Sequence, residues 1–287
     1  MASRKNSQKR RSGSRPPPDH ARPPRHRPDA PAASGGSPDN TAGSRQGIWL
    51  YGSHAVAAAL ANPKRRCLRL IATAGNDTTL PASDLAPEIL TRDAIEAVLP
   101  PGAVHQGIAL QVLPLAPQPI EDIIQHADTH GRTVIVVLDQ VTDPQNVGAA
   151  LRSAAAFGAY AVVAPDRNTP DATGAMAKAA SGALETVPLI RPNNLVRSLE
   201  TLKENGFWVL GLDMDAPMSL AETDLPERCV FALGAEGRGL RRLTRETCDL
   251  MVRVPITGAV ESLNVSASAA VALYEWVRAT PPAGTGK

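Results

Sequence analysis

Three observations predict an α/β fold built on a parallel sheet. Strand and helix signals alternate from about residue 132 onward, the order expected when helices cover both faces of such a sheet. The run VIVVL at 134–138 is continuously apolar and β-branched, as a strand buried on both faces requires. Polar or glycine-rich stretches at 139–152, 233–240 and 255–264 each follow a strand, and open parallel sheets bind ligands beyond the carboxyl ends of their strands.

The elements follow in chain order. Residues 1–45 contain no Val, Ile, Leu, Phe, Trp or Tyr, but 8 of the 26 prolines, and 10 Lys/Arg against 3 Asp/Glu. With no apolar side chains to offset the entropy of ordering, this segment is expected to be a disordered basic tail. It reads either as an electrostatic arm for phosphate or as a solvating tail. The run Pro16-Pro17-Pro18 precludes an amphipathic transit helix, and the segment has no apolar core of a secretory signal.

Residues 46–117 read as a small α/β unit. A helix is predicted over 53–61, with Ser53 as N-cap and Asn62-Pro63 as its stop. Strands are predicted at 68–72 and 107–112, with a short helix near 91–98. Pro114, Pro117 and Pro119, followed by a helical stretch at 120–127, mark a linker over 118–131. The larger unit, 132–287, is read as strand 134–138, helix 147–157, strand 160–164 and helix 172–180. Strand 187–190, helix 194–204, strands 207–212 and 229–233, a short helix near 240–246, strand 251–254 and helix 264–279 complete it.

Composition excludes several classes. The 287 residues carry 30 Lys/Arg and 28 Asp/Glu, a net of +2. That near-neutrality joins a +7 tail to a remainder of −5. No run of about 18 apolar residues is present, so no membrane span is expected. Cys67, Cys229 and Cys248 are widely spaced, suggesting neither a zinc site nor a disulfide framework but buried thiols in a reducing cytoplasm. His126 and His130 lie one helical turn apart, and without a third ligand they read as a solvated pair.

The loops themselves narrow the chemistry. The loop after 138, DQVTDPQNVG, has one glycine where a dinucleotide-binding fold wants G-x-G-x-x-G. The glycines of 234–239, GAEGRG, have another spacing and follow a late strand. No phosphate-binding G-x-x-x-x-G-K-[ST] and no G-x-S-x-G elbow occur. A Rossmann dehydrogenase or Rossmann-type methyltransferase is therefore disfavoured.

Three segments in this order, Pro144-Gln-Asn146-Val-Gly148-Ala-Ala-Leu-Arg152, Leu233-Gly234-Ala-Glu236-Gly237-Arg-Gly239-Leu and Val254-Pro255-Ile256-x-Gly258-x-x-x-Ser262-Leu263-Asn264, resemble the signature motifs of the SPOUT methyltransferases. Within that class they are similar to the TrmH family of RNA 2′-O-ribose methyltransferases. The pattern is most similar to the type that methylates a guanosine ribose of large-subunit ribosomal RNA. In that type a small RNA-binding domain precedes the enzyme, and 51–56 and 103–108 look similar to parts of it.

The resemblance implies a parallel sheet whose C-terminal chain threads a deep trefoil knot, an exception to the unknotted rule. It implies S-adenosyl-L-methionine as cofactor, with Gly234, Val254, Ile256 and Leu263 around it, and a homodimer through the knotted region. It implies structured RNA as partner, ribosomal RNA foremost, with a tRNA substrate of the same chemistry or a silent RNA-binding module as alternatives. Among reacting groups it points to Arg152 as the activator of the ribose hydroxyl and to Asn146 as the residue that positions either Arg152 or the ribose. Arginine keeps its proton at working pH, with a pKa of about 12.5–13.8, so Arg152 reads as orienting the phosphate and stabilising a developing alkoxide, and a base role would need a markedly unusual environment. Glu236 reads as a loop-holding or substrate-contacting carboxylate, or as an exposed one. Ser262 reads as a substrate hydrogen-bonding group, and Asn264 as a site residue that also suits a helix N-cap.

Overall fold

The structure is a computed structural model that describes residues 47–76, 80–81, 83–167, 169 and 172–279. The basic segment 1–45, expected to be disordered, lies outside the described residues.

The front part is a four-stranded sheet ordered β1(Ile48–Tyr51)-β4(Ile108–Val112)-β2(Cys67–Ala72)-β3(Glu88–Ile89). β4 pairs antiparallel with both β1 and β2, while β3 adds in parallel to β2. Helix α1 (Ser53–Ala61) covers one face through Ala55, Val56 and Ala59; the other packs Tyr51, Ile71 and Ala109 on Ile95 of α2 (Arg92–Glu96). Ser53 is not the N-cap of α1. Gly52 holds that position at φ 91°, because the chain leaves β1 directly through a left-handed conformation that favours glycine. Ser53 is instead the first helical residue, its N–H donating to Gln106 Oε1 at 3.2 Å. β1 and β3 were not anticipated.

The larger part is a seven-stranded sheet, parallel throughout. Its order is β7(Leu189–Ile190)-β6(Ala161–Val163)-β5(Thr133–Asp139)-β10(Arg228–Gly234)-β8(Trp208–Leu212)-β11(Leu250–Arg253)-β9(Met218–Ser219). All seven residues of β5 are buried, as its unbroken apolar run requires. Alternation splits the strand between two cores. Val134, Val136 and Leu138 pack on α4 (Pro144–Phe157) and α8 (Val265–Ala279), the helix that follows the short α7 (Arg242–Thr247) in the chain. Ile135 and Val137 pack on α3 (Glu121–His130) and α6 (Leu195–Glu204). The helix found in the stretch read as linker thus buries Ile123 and Ala127 against the sheet.

Helix α4 begins three residues earlier than 147, because the Asp143 carboxylate accepts the Gln145 N–H at 2.9 Å and Pro144 occupies the first turn. It crosses α5 (Gly174–Ala180) closely at Gly148, where an added Cβ would lie 2.4 Å from the Met176 carbonyl oxygen. α5 in turn supports the front sheet: a Cβ at Gly174 would meet the Trp49 carbonyl at 2.4 Å and the Tyr51 ring. The same junction carries a buried ion pair. Arg65 Nη2 lies 2.6 Å from Glu185 Oε1, with both side chains nearly inaccessible, and Asn62 Nδ2 donates to the other carboxylate oxygen at 2.8 Å.

His126 and His130 stack on one another at 4.1 Å, and His126 stacks on Tyr160 at 3.9 Å. α8 buries Val265, Leu273 and Trp276, while Val271 faces outward. No helix among the described residues is long and apolar enough to cross a membrane.

Candidate active site

The loops that follow β5, β10 and β11 emerge on one edge of the sheet, because these strands all run parallel. Three of their side chains join. Asn264 Nδ2 donates to Glu236 Oε1 at 2.7 Å and to Asn146 Oδ1 at 2.9 Å, and Asn146 Nδ2 donates to the same Glu236 oxygen at 3.2 Å. The amide orientations are set from outside the cluster. Asn264 Oδ1 accepts the Ser266 N–H at 2.8 Å and the Ser266 hydroxyl at 2.6 Å, which leaves its nitrogen to face Glu236.

Local chemistry explains why these residues meet. Asn264 caps α8, and Asn146 stands in the first turn of α4, two residues after Pro144. Glu236 therefore lies against the amino ends of two helices, where the helix dipole favours negative charge. Glu236 itself is carried by a short loop that folds back on β10, with an isolated bridge between Ala235 and Gly239. Gly234 makes that fold possible: a Cβ there would lie 1.9 Å from the Gly239 carbonyl carbon. Its glycine requirement is thus met by its own loop.

The far end of this loop is tied to β5. The Asp139 side chain is fully buried and accepts the Arg241 N–H at 3.0 Å and Arg241 Nε at 2.7 Å. A carboxylate ending an apolar strand is a signal that could have singled out Asp139 from the sequence.

A cleft of about 720 Å³ opens among Met214, Asp215, Arg253, Val254, Ile256 and Glu261, a volume typical of small-molecule sites. Val254 and Ile256 of the predicted cofactor set line it; Gly234 and Leu263 do not. Arg253 steadies one wall by donating to the Ala216 carbonyl at 2.7 Å and to that of Pro217. Apolar walls suit an adenine ring, and the carboxylates of Asp215 and Glu261 suit a cationic ligand, so the donor set fits S-adenosylmethionine. Met214 and Asp215 belong to a fourth loop, after β8, that the sequence reading passed over. The polar run Asp213-Met-Asp directly after a strand was its signal.

Two predicted site residues stay apart from the cluster. Arg152 is exposed, six residues beyond Asn146 on α4, and its side chain makes no hydrogen bond or ion pair with any described residue. Ser262 is exposed on the loop before Asn264 and makes none either. Both are open to an incoming substrate.

Known proteins resemble this chain in sequence and fold. Residues 133–274 match the SpoU rRNA Methylase family. The chain is 37% identical over 237 residues to the 23S rRNA (guanosine-2′-O-)-methyltransferase RlmB of Salmonella typhimurium, covering 80% of this chain and 97% of that relative. A TrmH-family structure from Porphyromonas gingivalis superposes with a TM-score of 0.68 at 28% identity, covering 82% of this chain and 91% of the other. The SpoU methyltransferase AviRb of Streptomyces viridochromogenes, solved with AdoMet, has the same fold with a TM-score of 0.71 at 20% identity, covering 83% and 92%. A match extending through the front sheet and all three loops leaves one assignment: this chain belongs to the SpoU rRNA methylase family.

Proposed function

We propose that this protein methylates a ribose 2′-hydroxyl of a guanosine in 23S ribosomal RNA, using S-adenosylmethionine held in the cleft beside Val254 and Ile256. The observation that carries the reading is the Asn146–Glu236–Asn264 cluster, which joins the three loops in a chain that matches a relative named for this activity over 97% of that relative's length.

The cofactor supplies an electrophilic methyl group on sulfonium. The protein must hold the ribose hydroxyl in line with that methyl and stabilise the charge growing on its oxygen. Arg152, exposed and unpaired among the described residues, is free to bind the adjacent phosphate and lie near that oxygen. Asn146, with Oδ1 and Nδ2 both engaged, acts with Glu236 and Asn264 to fix the loops around the acceptor. Ser262 supplies a hydroxyl to the substrate from the opposite loop.

A second copy of the chain fits the outer face of α8. Val271 and Tyr274 are exposed there, with Tyr274 edge-on to Phe157 at 6.2 Å. Covering this apolar strip is the expected role of a homodimer, read out by sedimentation.

The test is methyl transfer from labelled S-adenosylmethionine to unmodified 23S RNA and, separately, to tRNA, followed by mapping of 2′-O-methyl positions. Labelling of one 23S guanosine supports the reading. Labelling of tRNA alone replaces the substrate, and RNA binding without transfer makes the protein a binding module.

A further inference from the structure

Arg241 occupies an unusually asymmetric position. It ends the loop that carries Glu236, and its backbone N–H already ties that loop to Asp139. Its side chain adds a second bond, Nε to the other carboxylate oxygen at 2.7 Å. The two partners differ sharply in exposure: the Asp139 side chain is fully buried, whereas that of Arg241 is 43% exposed. Nη1 and Nη2 make no hydrogen bond with any described residue.

Anchoring the loop would need only the backbone bond. The additional bond orients a guanidinium and leaves its outer nitrogens toward solvent. Such a planar fork matches two oxygens of a phosphate, and fixing it beforehand reduces the rotamer entropy lost on binding. The residue stands in a basic neighbourhood. Arg238 is exposed on the same loop and makes no side-chain bond with any described residue, and Arg242 follows on the surface, paired only with Glu246. Asp139 and Arg241 also lie on the sheet edge that presents Asn146 and Glu236: Asp139 is in register with Gly234, two residues before Glu236.

We propose that Arg241 is a phosphate-binding residue for the RNA strand entering the site, and that Asp139 is its positioning residue. The inference rests on the RNA-methylating reading above. It adds a contact to the polymer backbone rather than to the reacting nucleoside.

Salt dependence of binding tests it, because each phosphate contact releases a counterion and a structural role does not. Transcribed 23S RNA is titrated with the full-length protein and with Arg241→Gln and Arg241→Lys across a range of KCl concentrations. Arg241→Gln is expected to lower the slope of log K against log salt by about 0.7–0.9 with S-adenosylmethionine affinity unchanged, and to lower the melting temperature because the buried Asp139 carboxylate loses its charged partner. Arg241→Lys is expected to keep the slope while binding more weakly, since charge remains and the fork is lost. Asp139→Asn, if it folds, is expected to weaken binding in the direction of Arg241→Gln. An Arg241→Gln slope equal to the parent's overturns the proposal, whether or not its melting temperature falls. A parent that binds and methylates no RNA removes the functional reading itself, and this inference with it.

Discussion

The Asn264 amide nitrogen lies 2.7 Å from Glu236 Oε1, while the amide oxygen of the same side chain caps α8 through the Ser266 N–H at 2.8 Å. One residue thus starts a helix and closes the contact between two loops. These tasks use opposite ends of the amide, so they can be separated by substitution.

Asn264→Ser keeps a good cap and removes the amide nitrogen, whereas Asn264→Ala removes both. Asn264→Ala should cost about 1 kcal/mol of stability and Asn264→Ser only a few tenths. Both should reduce methyl transfer roughly 100-fold, the scale expected when reacting groups are misplaced by about 1 Å. Denaturant melts and initial rates check the pair; an Asn264→Ser enzyme with parental rate would show that the cluster is only a cap.

Gly234→Ala forces a methyl group onto backbone, with the Gly239 carbonyl carbon and oxygen at 1.9 and 2.1 Å from the new Cβ. Neither atom can rotate away as a side chain would, so the loop carrying Glu236 must move. Overpacking of this kind costs about 1–3 kcal/mol. The variant should lose methyl-transfer activity at temperatures where circular dichroism still shows it folded.

The Arg65–Glu185 pair is buried between the front sheet and the segment after α5. Glu185→Ala strands a buried guanidinium and should cost about 3–5 kcal/mol, while Arg65→Met combined with Glu185→Leu should come within about 1–2 kcal/mol of the parent or exceed it. Thermal melts of the single and double variants measure the difference. A single variant as stable as the parent would mean that the junction opens to water.

Burial pushes the Cys248 thiol up to about 12, with neighbouring Asp249 acting in the same direction, and pushes Cys229 further still. At pH 8 the native thiolate fraction of Cys248 is on the order of 10⁻⁴, so iodoacetamide should label Cys229 and Cys248 only as fast as the chain opens. The sign of the linked stability follows. A thiol whose folded value is raised contributes stability that is fully present below its unfolded value near 9, and that is lost as pH rises toward 12. Alkaline titration of the denaturation midpoint should show that decline, shallower in Cys248→Ala.

Much of the larger sheet was legible because burial on both faces writes itself into composition. The run 134–138 could form only a buried strand or a buried helix segment, and its short length and β-branching favoured the strand. The helix read over 194–204 is found as α6, with Asn194 as its cap rather than its first residue, accepting the Arg197 N–H. Less was legible where a backbone conformation, rather than a side chain, sets the boundary. Gly52 displaced Ser53 from the cap of α1 because β1 turns directly into that helix. β3 is only two residues long and exposed, so no hydrophobic period marks it.

The site divides along the same line. The three motifs named Asn146, Glu236 and Asn264, yet they are separated by 90 and 28 residues, and nothing local states that one carboxylate oxygen receives both amides. Motif membership equally named Gly234 and Leu263 for the cofactor, although neither lines the cleft, and it was silent on Met214, Asp215, Asp139 and Arg241. By itself the sequence determined the fold class, the family and the identity of the loops, because apolar periodicity and motif order are properties of the chain. Tertiary structure alone decided which polar groups face one another. That outcome depends on parallel strands bringing distant loops to a common edge, where buried or engaged polar groups must find partners and exposed ones, such as Arg152, stay in solvent.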